Sequence, residues 1–145
     1  MRRFRLVTLA SMALVGVTLM AQAKMSAEEY AKLMKANAGA MQPMNKAIGS
    51  GSYADAKTQL ATLRTNFMAL QGFWAGVKKD DAVAIVKDGL TRLDALDKML
   101  SAATVDQMAA QAAAKEFAGA TCGACHKAYR EGDAQSGFKF KAGVI

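Results

Sequence analysis

The residues of this chain that could do chemistry are concentrated in one short stretch. Both cysteines and the only histidine fall within positions 122–126. In an α-helix, residues i, i+3 and i+4 share one face, so Cys122, Cys125 and His126 can act on a single group. A C-x-x-C-H sequence is typical of c-type haem attachment, in which two thiols bind the porphyrin edge and the imidazole binds the iron from the proximal side. The motif predicts one covalently bound haem c.

Four other interpretations of the motif explain less. A disulfide between cysteines three residues apart closes a very small loop and therefore stabilises little. A structural zinc site needs four ligands, whereas this chain has only two Cys and one His. A redox C-x-x-C pair is typical of a βαβ context, and the sequence has no strand-like alternation. A chance match would not explain why the chain also begins with an export signal, residues 1–23. Haem attachment is therefore the preferred interpretation.

The N-terminal stretch has the three parts of a secretory signal peptide. Residues 1–5 carry three arginines, residues 6–20 are apolar, and Ala-Gln-Ala at positions 21–23 is an A-x-A cleavage site. The apolar run is short for a membrane-spanning helix, which disfavours a retained anchor. We therefore predict cleavage after Ala23 and a soluble mature protein, residues 24–145, in the periplasm. Membrane contact would be made only through the segment that is removed.

The charge of the chain bears on its partners. The full chain has 19 basic and 12 acidic residues and a net charge of +7. Cleavage would remove three arginines and no acid, which leaves the mature chain at +4. The lysines are scattered and no basic patch is interleaved with aromatic residues, which disfavours nucleic acid as a partner. A mildly basic surface favours docking to an acidic protein, here an unidentified redox partner.

Capping signals divide the mature chain into four predicted helices. A capping box of Ser26 and Glu29 begins the first helix. One of the aspartates at positions 80 and 81 caps the third. A second capping box, Thr104 with Gln107, begins the fourth. The predicted helices are residues 26–48, 53–73, 80–100 and 104–130.

Apolar residues recur along these helices at steps of three and four, which is the period of a buried helix face. In the first helix this stripe is Tyr30, Met34, Ala38, Met41, Met44 and Ile48. In the second helix it is Tyr53, Ala56, Leu60, Leu63, Phe67, Leu70 and Trp74, and in the third Val83, Val86, Leu90, Leu93, Leu96 and Leu100. Four amphipathic helices with short connections predict an all-α fold. The expected architecture is one antiparallel up-down-up-down four-helix bundle with haem bound near its C-terminal helix.

In this setting the sequence resembles the cytochrome c′ family, the class II c-type cytochromes. The residues at positions 122–130, Cys-Gly-Ala-Cys-His-Lys-Ala-Tyr-Arg, have an aromatic and a basic residue three and four places after the histidine. Leu-Met-Lys-Ala-Asn at positions 33–37 and the stretch at positions 48–56 are similar to the family's first helix and its entry to the second. The resemblance covers essentially the whole mature chain and is closest to the low-spin, methionine-ligated members.

The resemblance implies roles for four further residues. Met34 falls on the position of the sixth, distal iron ligand in the low-spin members. Tyr30 and Asn37, about one turn to either side, would line the distal pocket, and Arg130 would lie near the proximal imidazole. Other roles stay open for all four, since methionine at helical spacing usually fills a core and a cation is favourable near a helix C-terminus. A methionine-rich copper site explains less than one haem motif.

Two functions are consistent with these residues. The first is electron transport by a periplasmic mono-haem c-type cytochrome, a one-electron carrier with His126 and Met34 as axial iron ligands. The alternative is a five-coordinate cytochrome c′ that binds NO or CO, to trap or sense the gas. An enzyme is disfavoured, because no second histidine or other clear acid–base group accompanies the haem. The resemblance also implies that two copies can pair as a homodimer through the first two helices.

Overall fold

The structure, a computed structural model, describes residues 25–133 and 137–145. The predicted signal peptide, residues 1–23, lies outside the described residues. The described part is almost entirely helical, as expected of an all-α bundle. In chain order its elements are α1 (Ala27–Gly49), α2 (Tyr53–Gly76), α3 (Asp80–Leu100), α4 (Gln107–Phe117), a π-helical segment (Ala118–Gly123), α5 (Ala124–Tyr129), β1 (Arg130–Glu131) and β2 (Lys139–Phe140).

The fourth predicted helix is a continuous stretch of three pieces: α4, the π segment and α5. It ends at Tyr129, and the two following residues form β1, which pairs antiparallel with β2. In this ladder Arg130 lies opposite Phe140. The sequence did not predict these short strands, because two-residue pairings leave no periodic signal.

The predicted capping box of α1 is confirmed. The Ser26 Oγ accepts the backbone N–H of Glu29 at 3.2 Å, and a Glu29 carboxylate oxygen accepts the backbone N–H of Ser26 at 2.7 Å. These two bonds satisfy N–H groups that the first turn of a helix leaves without partners. The bond from the Ser26 backbone N–H, followed by the Ser26 side chain, lowers the pKa of the Glu29 carboxyl, since it favours the charged form.

The caps predicted for the third and fourth helices are wrong. The N-cap of α3 is Lys79, whose side chain makes no capping bond, although the Asp81 carboxylate accepts the N–H of Ala82 in the first turn at 3.0 Å. The N-cap of α4 is Asp106, whose carboxylate accepts the N–H of Ala109 at 3.0 Å, rather than Thr104. The reason is a tertiary contact, because the Gln107 side chain donates to the carbonyls of Ile48 and Gly49 at the end of α1, at 2.8 and 2.6 Å. It is therefore not engaged in a capping box.

The predicted inward stripes of α2 and α3 are largely confirmed. The buried residues of α2 are Ala56, Leu60, Leu63, Phe67, Leu70, Phe73 and Trp74. In α3 the buried residues include Val86, Leu93, Leu96 and Leu100, whereas Val83 and Leu90 are half-buried. Large apolar residues at regular steps leave one favourable orientation for a helix, so the period alone predicts the buried face.

The stripe predicted for α1 is wrong at one position, because Ala38 is exposed and Ala40 is buried instead. Residues 36–40 are small, apart from Asn37, so the hydrophobic pattern there has little contrast to set the face. A polar contact favours the observed orientation. The Oδ1 atom of the buried Asn37 side chain accepts a hydrogen bond from the side-chain amide of Asn66, on α2, at 2.8 Å.

The helices close into a bundle around one core. Helix α1 packs mainly on α2, α2 packs on α3, and α4 contacts both α3 and α1. Trp74, Phe117, Met44 and Ile48 are among the largest fully buried side chains. In the described ranges, no helix combines the length and apolar character needed to cross a membrane.

Candidate functional site

The π segment sets which residues of the fourth helical stretch face inward. Four residues of this stretch face the core at a spacing of four residues: Phe117, Thr121, Cys125 and Tyr129. Cys125 is half-buried and the other three are buried. In a regular α-helix three such steps would drift by about 120° from one face. A π-helical turn holds more residues than an α-helical turn, since its hydrogen bonds run from i to i+5. The π segment therefore brings Cys125 and Tyr129 onto the same face as Phe117.

The two cysteines are free thiols, half-buried against the core. Cys122 lies in the π segment and Cys125 in the first turn of α5. Burial raises the pKa of Cys122. Burial, followed by the negative charges of Cys122 and Asp81, raises the pKa of Cys125 to about 11. Both groups are thus protonated thiols at neutral pH, unlike the low-pKa cysteines of redox catalysts.

His126 follows Cys125 directly in α5 and is half-buried. Burial lowers its pKa, and the positive charge of Arg130 lowers it further. Its imidazole is therefore mainly neutral at pH 7, which is the form that binds a metal ion.

Five aromatic side chains, which we call the aromatic wall, are in contact near Cys125: Tyr30, Phe73, Trp74, Tyr129 and Phe140. The Tyr30 ring centroid lies 4.7 Å from Phe73 and 4.8 Å from Phe140. Trp74 is 4.7 Å from Tyr129 and 5.7 Å from Tyr30. Burial, followed by an interaction with Cys125, raises the pKa of Tyr30. Tyr129, which packs on Trp74, lies on α5 with Cys125. The wall joins α1, the end of α2, α5 and β2 in one apolar surface.

The three predicted residues of α1 occupy different surroundings. Tyr30 belongs to the aromatic wall, on the Cys125 side of the molecule. Met34, about one turn further along α1, is half-buried against the core. Asn37 is buried, and its hydrogen bond to Asn66 holds α1 on α2. The structure thus brings Tyr30 to the Cys125 end of the site and uses Asn37 in packing between helices.

Arg130 lies just beyond the end of α5, in β1, rather than within the predicted fourth helix. Its guanidinium carbon lies 4.0 Å from the centre of the exposed Phe138 ring. Its charge lowers the pKa of His126, so it is close enough to act on the imidazole. Arg130 is therefore a cation at the end of a helix, and its role beside a proximal iron ligand stays a prediction.

Two residues near the site were not predicted to belong to it, Asp81, which was considered only as a helix cap, and Phe140. The buried Tyr129 hydroxyl faces Asp81, yet within residues 25–133 and 137–145 it has no partner that meets hydrogen-bond geometry. Burial and then this carboxylate raise the pKa of Tyr129 to about 12, and the interaction lowers the pKa of Asp81. In the sequence, Phe140 is an aromatic residue in a mostly polar C-terminal stretch. That pattern is too weak to predict where the Phe140 ring packs.

The described residues contain no group of three or more His, Cys, Asp and Glu side chains that could hold a metal ion, and the trio of Cys122, Cys125 and His126 does not form one. The donor set fits a c-type haem instead. It has two free thiols for a porphyrin edge, one neutral imidazole for iron, and an apolar aromatic surface beside them. No protein-family model, curated protein or solved structure matches this chain.

Proposed function

We propose that this protein is an exported mono-haem c-type cytochrome that carries one electron at a time, as the low-spin members of the cytochrome c′ family do. The observation that carries the proposal is the meeting of two free, half-buried thiols and a neutral imidazole within five residues, beside the aromatic wall. These are the groups that covalent attachment and axial ligation of one haem require.

Each residue of the site has a distinct part in this proposal. Cys122 and Cys125 would hold the haem covalently through their thiols. His126 would bind the iron on one side, and Met34 would bind it on the other. Haem bound here would supply a reversible one-electron iron couple, whose potential a thioether ligand raises. The aromatic wall would exclude water from one side of the site, which also tunes that potential.

The proposal includes the bundle topology and the location of the protein. The α1–α2 and α2–α3 connections are three residues each, residues 50–52 and 77–79. Such short connections favour antiparallel neighbours and hence an up-down-up-down bundle. We also propose that residues 1–23 direct export to the periplasm and are removed there. The basic mature chain then docks to an acidic redox partner.

Intact mass and absorption spectra test this function. The full chain would be expressed in a bacterial host that attaches c-type haem, and the exported protein would be purified. We expect a mass that has lost residues 1–23 and gained one haem, with a low-spin spectrum and a methionine-to-iron charge-transfer band in the oxidised form. A mature chain without covalent haem would contradict the proposal. A high-spin spectrum with rapid uptake of CO or NO by the reduced form would instead support the gas-binding alternative.

The substitution Met34→Ala tests the distal ligand. We expect it to abolish the charge-transfer band and produce a high-spin spectrum, because the iron loses its thioether ligand. The matched control is Met41→Ala, since Met41 is also a half-buried methionine of α1 packed on the same core. It should leave the spectrum unchanged. An unchanged spectrum in the Met34 variant would show that another group, or none, occupies the sixth position.

A further inference from the structure

Helix α3 approaches the π segment unusually closely at Gly89. A Cβ atom at this position would lie 2.5 Å from the Cγ2 of Thr121 and 3.0 Å from the Cε1 of Phe67. Non-bonded carbon atoms are in favourable contact at about 3.5–4.0 Å, so no side chain fits here without movement. Among the described helical glycines, Gly39 and Gly72 have no such neighbour within 4 Å. Glycine is unfavourable inside a helix. Among these three glycines, Gly89 is the one at which a close contact explains the absence of a side chain.

Neither neighbour of Gly89 can move aside easily. Thr121 is 1% exposed, and its β-branched side chain has few rotamers in a helix. Phe67 is held by Phe117, with ring centroids 5.2 Å apart. The buried Thr121 hydroxyl has no hydrogen-bond partner among residues 25–133 and 137–145, including the carbonyl four residues earlier that helical threonines often use. The Thr121 methyl is therefore seated on Gly89 by packing alone.

Thr121 connects this close contact to the cysteines. It is the last buried residue of the π segment, and Cys122 is its neighbour in the chain. Cys125 and His126 begin the regular turns of α5 immediately after the segment. If Thr121 were pushed away from α3, the segment could close into α-helix. Every residue after it would then rotate relative to Phe117, which stays anchored in the core.

We propose that Gly89 is a positioning residue for the haem-attachment motif. By accepting the Thr121 methyl, it keeps the helix in its π-helical form, and this sets the direction in which Cys122, Cys125 and His126 face. The inference rests on the proposed function, in that the groups it positions are the haem thiols and the proximal ligand. Gly89 itself touches none of them, and it acts through Thr121.

The experiment compares four forms of the full, exported chain. Gly89→Ala introduces a Cβ atom that clashes with the Thr121 methyl. The double variant Gly89→Ala with Thr121→Ser keeps this Cβ atom and removes that methyl. Gly72→Ala is the control, a helical glycine with open space around it. For each form, intact mass gives the fraction of chains carrying haem, and absorption gives the ligation of that fraction. Amide hydrogen exchange over residues 118–126 of the haem-free chain reports the π segment without any haem.

We expect Gly89→Ala to lower the haem-loaded fraction by about tenfold, in the range seen when residues supporting a ligand shell are changed. Exchange should accelerate in residues 118–126 and stay unchanged in α1. The double variant should recover most of the loading and the wild-type spectrum, and Gly72→Ala should match the wild type. Recovery by removing one methyl would show that the effect arises from the contact with Thr121, and faster exchange confined to residues 118–126 would distinguish it from a general loss of stability.

The possible outcomes distinguish failure of the Gly89 positioning role from failure of the proposed haem function. Wild-type protein that carries haem, with a Gly89→Ala variant of equal loading and identical spectrum, overturns the positioning role and leaves the function standing. Altered exchange with unchanged loading and spectrum overturns it as well, since the contact would then be structural only. Wild-type protein without haem overturns the proposed function and, with it, the role of Gly89 in attachment.

Discussion

At the scale of single residues, burial rather than charge sets the chemical state of the site. The largest effect on Cys122, Cys125 and His126 is the loss of contact with water. Loss of water disfavours the charged form of each group, so thiols stay protonated and the imidazole stays neutral. In the proposed function, the neutral imidazole is the form that binds iron. The same burial leaves two hydroxyls, of Thr121 and Tyr129, without hydrogen-bond partners in the described chain.

The unpartnered Thr121 hydroxyl leads to a stability prediction. Thr121→Val keeps the branched shape and replaces the hydroxyl by a methyl, so a buried polar group that makes no bond is replaced by an apolar one. We expect the variant to be more stable by about 1 kcal/mol, because an unsatisfied buried hydroxyl costs about that much or more. Urea unfolding followed by circular dichroism measures the change.

The control is Thr91→Val, since the exposed Thr91 hydroxyl donates to the carbonyl of Lys87. We expect that change to alter the free energy of unfolding by no more than about 0.5 kcal/mol. A Thr121→Val protein less stable than the wild type would show that the hydroxyl makes a bond in solution.

At the scale of elements, the ends of helices are decided by contacts between them. Gln107 would complete a capping box in an isolated helix, but its amide binds two carbonyls at the end of α1. The Ile48 carbonyl also accepts the N–H of Gly51 at 3.2 Å, just beyond the helix. The bond from Gln107 adds a partner at the end of α1, where carbonyls lack partners within the helix, and it joins the two helices. The cap of α4 is then provided by Asp106, one residue before the helix. The contact between Gln107 and the end of α1 therefore affects both the packing of α4 on α1 and the choice of the residue that caps α4.

The two candidate caps of the fourth helical stretch can be distinguished by substitution. Asp106→Ala should lower the free energy of unfolding by about 1 kcal/mol, because it removes the acceptor for the Ala109 N–H. Thr104→Ala should change it by less than about 0.5 kcal/mol, since Thr104 is exposed and outside the helix. Chemical unfolding of both variants gives the comparison. The reverse order would show that α4 begins at Thr104 in solution.

At the scale of the whole molecule, both ends of the described chain meet at the site. Tyr30, in the second turn of α1, and Phe140, near the C-terminus, both pack on the end of α2. The C-terminal segment, residues 137–145, is bound back onto α5. The Lys141 N–H donates to the Tyr129 carbonyl at 3.0 Å, and its ammonium donates to the Lys127 carbonyl at 2.6 Å. The segment therefore covers one side of the aromatic wall.

This arrangement predicts unequal effects for two nearby phenylalanines of the C-terminal segment. Phe140→Ala should lower the free energy of unfolding by about 2 kcal/mol, less than for a fully buried ring, because Phe140 is half-buried. Phe138→Ala should cost less than about 1 kcal/mol, since Phe138 is 56% exposed and contacts mainly Arg130. Urea unfolding measures both. Equal effects would indicate that Phe140 is not part of the wall in solution.

The sequence by itself determined the features that depend on neighbouring residues along the chain. These are the four helical stretches, the capping box at Ser26, the buried face of α2 and the grouping of Cys122, Cys125 and His126. Each rests on local hydrogen bonds or on large apolar residues at a regular period, and such signals are complete within a few turns.

The tertiary structure decided the features that depend on residues distant in sequence. It decided that Ala40 and not Ala38 faces the core, because small residues carry too little contrast to orient α1. It placed a π segment around Thr121 and Cys122, where Gly89 leaves room for the Thr121 methyl, and it folded Phe140 onto the site. A close approach between helices is a property of two surfaces together, so neither helix's sequence contains it. The motif could be found in the chain, but the direction in which it faces is determined by the packing of α3.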